Sequence, residues 1–118
     1  VYALGFIGVN YRLGGMSPDA GFDCSGLVHH VFKQVTGLIL PRSSNDLSKA
    51  GEKISETELQ PGDLVFYNTR RRPFSHVGIY VGEDRFIHAP SRGGKVEIID
   101  MKDRYWATRY NGARRVNF

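Results

Sequence analysis

The hydrophobic period of this chain changes once, at Pro61-Gly62-Asp63, and that change limits what it can fold into. Upstream, Cys24, Leu27, Val28, Val31, Phe32 and Val35 recur at i, i+3, i+4, i+7, i+8 and i+11, the apolar stripe of an amphipathic helix. The spacing predicts a helix from Asp23 to about Val35, with Asp23 at or just before its cap and Gly37 placed to end it. A shorter helix is predicted over Ser43–Ala50, entered through Leu40-Pro41-Arg42 and stopped by Gly51. Downstream the period is two: Leu64–Tyr67, His76–Val81, Arg85–Ala89 and Val96–Ile99 read as short strands, with Arg114–Phe118 as a closing strand. Helices first and antiparallel strands after give an α+β domain with the helices packed on a sheet of five to six strands.

With 118 residues, 41% of them hydrophobic, and no internal repeat or Gly/Pro-rich linker, the chain reads as one domain over residues 1–118 built on one core. No stretch approaches the roughly 18–20 apolar residues that span a bilayer. The chain starts at Val1 with neither an initiator Met nor a basic-then-apolar leader, which reads as a processed chain or a fragment. Lys plus Arg less Asp plus Glu is 16 − 12 = +4, with clusters at Arg70–Arg72 and Arg114–Arg115, a balance that suits an anionic partner without naming one. Cys24 is the single cysteine, so there is no intrachain disulfide and no multi-cysteine zinc ribbon.

The hairpin from His76 to Ala89 separates into two faces. With Gly82-Glu83-Asp84 as a three-residue loop and Val81 opposite Arg85, Val77, Ile79 and Val81 share a face with Ile87 and Ala89. His76, Gly78 and Tyr80 then share the other face with Phe86 and His88, and His88 lies opposite Gly78 and diagonal to His76. Two histidines converge beside a glycine expected to leave room between them. Cys24 sits at the first turn of a helix, where unpaired N–H groups and the positive end of the helix dipole lower a thiol pKa and hold an oxyanion. If the sheet face under the helix stripe is the histidine face, the result is a nucleophile, Cys24, a base, His76, and an orienting group, His88. His29 and His30 fall off the stripe and receive no role.

The same residues carry a family resemblance. Tyr11-Arg12-Leu13-Gly14-Gly15, Gly21-Phe22-Asp23-Cys24-Ser25-Gly26-Leu27-Val28, Leu40-Pro41-Arg42-Ser43-Ser44, Leu59-Gln60-Pro61-Gly62-Asp63-Leu64-Val65-Phe66, Ser75-His76-Val77-Gly78-Ile79-Tyr80-Val81-Gly82 and Phe86-Ile87-His88-Ala89 follow one another as the signature blocks of the NlpC-type cell-wall cysteine peptidases do. The resemblance implies a papain-like fold, with Cys24 as nucleophile, His76 as general base and His88 as the third polar residue. It also implies that Tyr11 lies near the nucleophile and helps polarise the scissile carbonyl. Asp23, Ser25, Arg42, Ser43 and Ser44 are expected along the substrate cleft, where Leu47 departs from the Gln of many members. The implied substrate is the stem peptide of peptidoglycan, cut without cofactor or metal; a small single domain with an open cleft needs no partner to be active, so a monomer is expected. The ending from Tyr105-Trp106 to Ala113-Arg114-Arg115 resembles the short periplasmic or outer-membrane members of Gram-negative bacteria. Arg12, Arg42 and Arg70–Arg72 are expected near the cleft, as cations for stem carboxylates.

Other classes compete. One Cys and two His make a plausible zinc or copper set, but the spacing matches no zinc signature and no fourth ligand is apparent. A non-catalytic cell-wall-binding module would have little use for an intact Cys24, His76 and His88. An amidase or acyltransferase would share the acyl-enzyme and differ in substrate alone. Nucleic-acid binding, prompted by Tyr105, Trp106 and Tyr110, lacks both the charge and a signature, and Gly14-Gly15 is too little for a phosphate cradle.

Overall fold

The computed structural model describes residues 8, 15–17, 21–37, 39–69, 73–89 and 94–116. Strands β1 (Met16–Ser17) and β2 (Gly21–Phe22) form a small antiparallel ribbon that leads into helix α1 (Cys24–Thr36). Asp23 is the N-cap in extended conformation, its carboxylate accepting from the Gly26 N–H, and Gly37 closes the helix in the left-handed region at φ 76°. Both ends fall where the capping residues predicted. Helix α2 is only Ser44–Leu47, shorter than the expected Ser43–Ala50, with Ser43 as its cap.

Strands β3 (Glu52–Ile54), β4 (Leu64–Tyr67), β5 (His76–Gly82), β6 (Arg85–His88), β7 (Glu97–Asp100) and β8 (Tyr110–Arg115) form one sheet, antiparallel throughout, in the order β3-β8-β4-β5-β6-β7. The one-turn helix α3 (Arg104–Ala107) lies between β7 and β8. The six-stranded α+β architecture agrees with the expectation, but the closing strand begins four residues earlier than Arg114. Its partner β3 had no strand signal, because Glu52 and Lys53 are exposed and only Ile54 is buried.

The sheet separates two apolar layers. On one side Leu27, Val28, Val31 and Phe32 of α1 and Leu47 of α2 pack with Leu64, Phe66, Val77, Ile79, Ile87 and Ala89. Each large aliphatic side chain buried there contributes about 1.5–3 kcal/mol. On the other side Val65, Tyr67, Tyr80, Phe86, Met101 and Ala113 pack with Trp106 and Tyr110. Val35 is the exception to the helix stripe: in the last turn, it is 56% exposed. Buried Asp63 anchors the turn before β4, accepting from Arg115 Nε and one terminal guanidinium nitrogen, both at 2.9 Å, and from the Gln60 N–H at 2.8 Å. That two-pronged charge-assisted pair ties the turn to β8.

Candidate active site

The hairpin keeps the expected register where it matters. Ile79 opposes Ile87 and Tyr80 opposes Phe86. The turn differs: Gly82, not Val81, opposes Arg85, and the connection is the two residues Glu83 and Asp84, at φ 53° and 60°. Two successive left-handed residues make the tight turn whose twist matches its strands, and the register shift between Tyr80 and Gly82 absorbs the extra residue.

The histidine face is not the helix face. Alternation along β5 sends Val77 and Ile79 to α1, and His76 to the opposite layer, where Trp106 covers both imidazoles. The condition attached to the catalytic constellation, that the helix stripe lie on the histidine face, is therefore not met. The reason is energetic: α1 needs an apolar surface, and the valine–isoleucine face is the one that offers it. Cys24 and Phe74, two residues before His76, both pack at the margin of the α1 layer. Cys24 opens α1, His76 opens β5, and α1 packs on β5.

His76 and His88 are 3% and 0% exposed, and His76 Nε2 lies 2.7 Å from His88 Nδ1 in a hydrogen bond. Burial, followed by the neighbouring His76, pushes the His88 pKa down to about 2, so this ring is neutral. The space over Gly78 is not empty as expected; a Cβ there would sit 2.6 Å from Cδ2 of Phe86 and 3.0 Å from the Ile87 carbonyl oxygen. Gly78 admits the Phe86 ring, which packs against His88 with centroids 5.0 Å apart. Trp106 completes the enclosure at 5.5 Å from His76, 5.0 Å from His88 and 5.2 Å from Tyr67. Burial raises the Tyr67 and Tyr110 hydroxyls, the latter to about 12, so neither phenol carries a charge at neutral pH. Trp106, named in the sequence with Tyr105 and Tyr110 as a prompt for nucleic-acid binding, was not expected over the imidazoles. The signal was present, since a lone Trp beside a helix cap at Asp103 is costly to leave in solvent.

The approach to His76 is held by local bonds. Phe74 is left-handed at φ 58°, an arrangement disfavoured for a bulky residue. Its N–H donates to Asn111 Oδ1 at 2.9 Å and its ring meets Phe66 at 5.8 Å. The Thr69 N–H donates to Ser75 Oγ at 3.0 Å, joining the two ends of the β4–β5 connection.

Asp23, Ser25 and Arg42 come together, but around the helix start. One Asp23 oxygen accepts from the Gly26 N–H at 2.7 Å and the other from Arg42 at 2.9 Å, while the second Arg42 nitrogen donates to Ser25 Oγ at 2.6 Å. Arg42 is thus paired within the protein rather than offered as an unengaged cation. Ser43 caps α2 by accepting from the Asp46 N–H, and Ser44 is half-buried beside it. Leu47, at the departure from the family pattern, is fully buried under α1. Tyr11, Arg12 and Arg70–Arg72 lie outside the described residues. An open polar groove of about 540 Å³ runs between the end of β4, α3 and the start of β8, with the Arg109 guanidinium stacked 3.8 Å over the Tyr105 ring.

This sheet with its packed helix is the architecture of a known family. The NlpC/P60 family profile matches residues 8–115, and the chain belongs to that family. It is 47% identical over 111 residues to the gamma-DL-glutamyl hydrolase of Bacillus subtilis (strain 168), and 43% identical over 113 residues to the murein DD-endopeptidase MepH of Escherichia coli (strain K12). Each alignment takes in 93% of this chain, but the chain spans only 27% and 42% of those relatives. An NlpC/P60 family protein from Bacillus cereus ATCC 10987 superposes with a TM-score of 0.88 at 36% identity, over 96% of this chain and 37% of the other. The fold is accordingly the papain-like α+β one that the resemblance implied.

Proposed function

We propose that this chain is the catalytic domain of a cell-wall cysteine peptidase that hydrolyses amide bonds in peptidoglycan stem peptides or their cross-links. The single observation that carries the reading is the buried His76–His88 hydrogen bond on the strand pair packed against the helix that Cys24 opens. An imidazole bonded through Nε2 to a second imidazole can turn its Nδ1 to a thiol. The mechanism requires the thiol and His76 to meet at the ends of their elements, around the strand start, rather than across the helix–sheet interface. Cys24 thiolate attacks the amide carbonyl, and the N–H groups at the start of α1 hold the oxyanion, with Tyr11 assisting. Protonated His76 gives its proton to the departing amine. Water activated by the same His76 then hydrolyses the thioester, returning the thiol and releasing the acid. Asp23 acts through the helix start it caps, with Arg42 and Ser25 bonded to it, and Ser43 and Ser44 flank the cleft. The polar groove beside Arg109 gives a peptide carboxylate a place to lie.

The relatives named as a murein endopeptidase and a gamma-DL-glutamyl hydrolase support a peptide substrate of cell-wall chemistry. We place the action in the periplasm or at the periplasmic side of the outer membrane, by a monomer without cofactor; among the described residues no helix is long and apolar enough to cross a membrane. The test is incubation of the protein with purified peptidoglycan and mass spectrometry of the released fragments. New termini that vanish in Cys24→Ala and His76→Ala are expected, with a measurable remnant in His88→Ala. The fragment masses identify the bond. Release that persists unchanged in Cys24→Ala would refute the mechanism.

A further inference from the structure

The far side of the imidazole pair ends in a carboxylate that neither the resemblance nor the mechanism uses. His88 on β6 opposes Glu97 on β7, and Glu97 Oε1 lies 3.7 Å from His88 Nε2. That nitrogen is buried and has no hydrogen-bond partner among the described residues. A buried ring N–H left unpaired costs about as much as a lost hydrogen bond, so the nearest acceptor matters.

We propose that Glu97 is the positioning residue that fixes His88 in its Nε2–H tautomer, so that the His76–His88 bond runs from His76 to His88. The inference deepens the peptidase reading and rests on it for the direction the bond must take. When His76 carries the proton taken from the thiol, both its ring nitrogens are donors. His88 Nδ1 must then accept across the 2.7 Å contact, and neutral His88 must hold its one proton on Nε2. In the other tautomer two N–H groups would face each other, and the imidazolium would lose its partner. Glu97 supplies the bias: its negative oxygen faces Nε2 and favours the form with hydrogen there. Its side chain is 45% exposed, and a small rotation closes 3.7 Å to hydrogen-bond length without disturbing the core. The ionisable groups facing His88 among the described residues are His76 from β5 and Glu97 from β7; β6 itself contributes Phe86 and α3 contributes Trp106, neither of which titrates. No other carboxylate competes for the role in that set.

The experiment reads the tautomer directly, by long-range proton–nitrogen correlation of the His88 ring in uniformly ¹⁵N-labelled protein at neutral pH. In the parent, Nε2 is expected to be protonated and Nδ1 bare. Glu97→Leu is expected to move both nitrogens toward averaged shifts, and Glu97→Gln, whose amide oxygen accepts the same N–H, to restore the parent pattern. On peptidoglycan fragments Glu97→Leu lowers kcat about five- to ten-fold with KM unchanged, and Glu97→Gln stays near the parent. A His88 pattern identical in the parent and Glu97→Leu overturns the proposal, as does a Glu97→Gln that behaves like Glu97→Leu, which would assign the loss to packing. Tautomer dependence on Glu97 in a parent that cleaves no peptidoglycan would keep this inference and remove the peptidase reading. Cleavage with no such dependence would do the reverse.

Discussion

Neutral His88 in a sealed box makes the stability of this domain fall on the acid side of neutrality. In the unfolded chain a histidine takes up a proton near pH 6.5, whereas in the folded protein burial holds the His88 pKa down at about 2. The unfolded state alone is protonated between those values, so the contribution is fully present above about pH 6.5 and is lost progressively as pH falls toward 2. From pH 7 to pH 5 the unfolded side gains a factor of about 25, or about 2 kcal/mol. The folded pKa does not enter that figure provided it lies well below 5, so the magnitude depends on burial and not on fine geometry. Urea unfolding of the parent and His88→Asn at pH 7, 6 and 5 measures it. The parent is expected to lose about 2 kcal/mol more than the variant over this range, while the His88 ring resonances stay constant in the folded protein. A His88 resonance that titrates with a midpoint above about pH 5, or equal pH slopes in both proteins, would refute the reasoning.

Other expectations concern the helix start and the box. Asp23→Ala removes both a cap and an ion pair with half-exposed Arg42, for about 2 kcal/mol in urea unfolding, whereas Asp23→Asn keeps the cap oxygen and loses about half of that. Equal losses would show that one oxygen carries no weight. Gly26→Ala gains about 1 kcal/mol of helix propensity, but its Cβ would lie 2.0 Å from the Gly15 carbonyl oxygen. A net loss above about 2 kcal/mol is expected by thermal or urea unfolding, and an increase in stability would contradict the close approach. Gly78→Ala forces the Phe86 ring onto His88, and should lower turnover as well as stability by about 1–3 kcal/mol. Trp106→Ala uncovers both imidazoles, and is expected to cost about 3 kcal/mol and to let the His88 resonances titrate with pH.

Local signals and pairwise geometry were legible in the sequence; relations between layers were not. The caps of α1 were readable because Asp and Gly at those offsets each satisfy a specific backbone need, the open N–H of Gly26 and the left-handed Gly37. The convergence of His76 and His88 was readable because strand alternation and one turn fix a register. The alternation did not say which face the helix would cover, and the choice went to the apolar one. Nor did it disclose the tenants of each gap: Phe86 occupies the room over Gly78, and Asp23 and Ser25 engage Arg42. Strand β3 stayed hidden because two of its three residues face water, and the early part of β8 because Asn111 and Gly112 are poor strand formers. Glu97 and Trp106 could be connected to the histidines only once β7 and α3 had been placed beside β6.

The position of β8 between β3 and β4 has a consequence for the order in which the molecule is made. Strands β4 to β7 form a meander of neighbours in sequence, so their pairings close short loops and can appear as the chain emerges. Strand β3 has β8 as its sheet partner and must wait for residues some 60 positions downstream. Until β8 arrives, one side of β4 is an open edge carrying the run Leu64-Val65-Phe66-Tyr67, every residue of which is buried in the finished sheet. Such an apolar edge is a template for pairing with other chains. A nascent or truncated chain that stops short of Tyr110 is therefore aggregation-prone, and insertion of β8 both completes the sheet and removes the hazard.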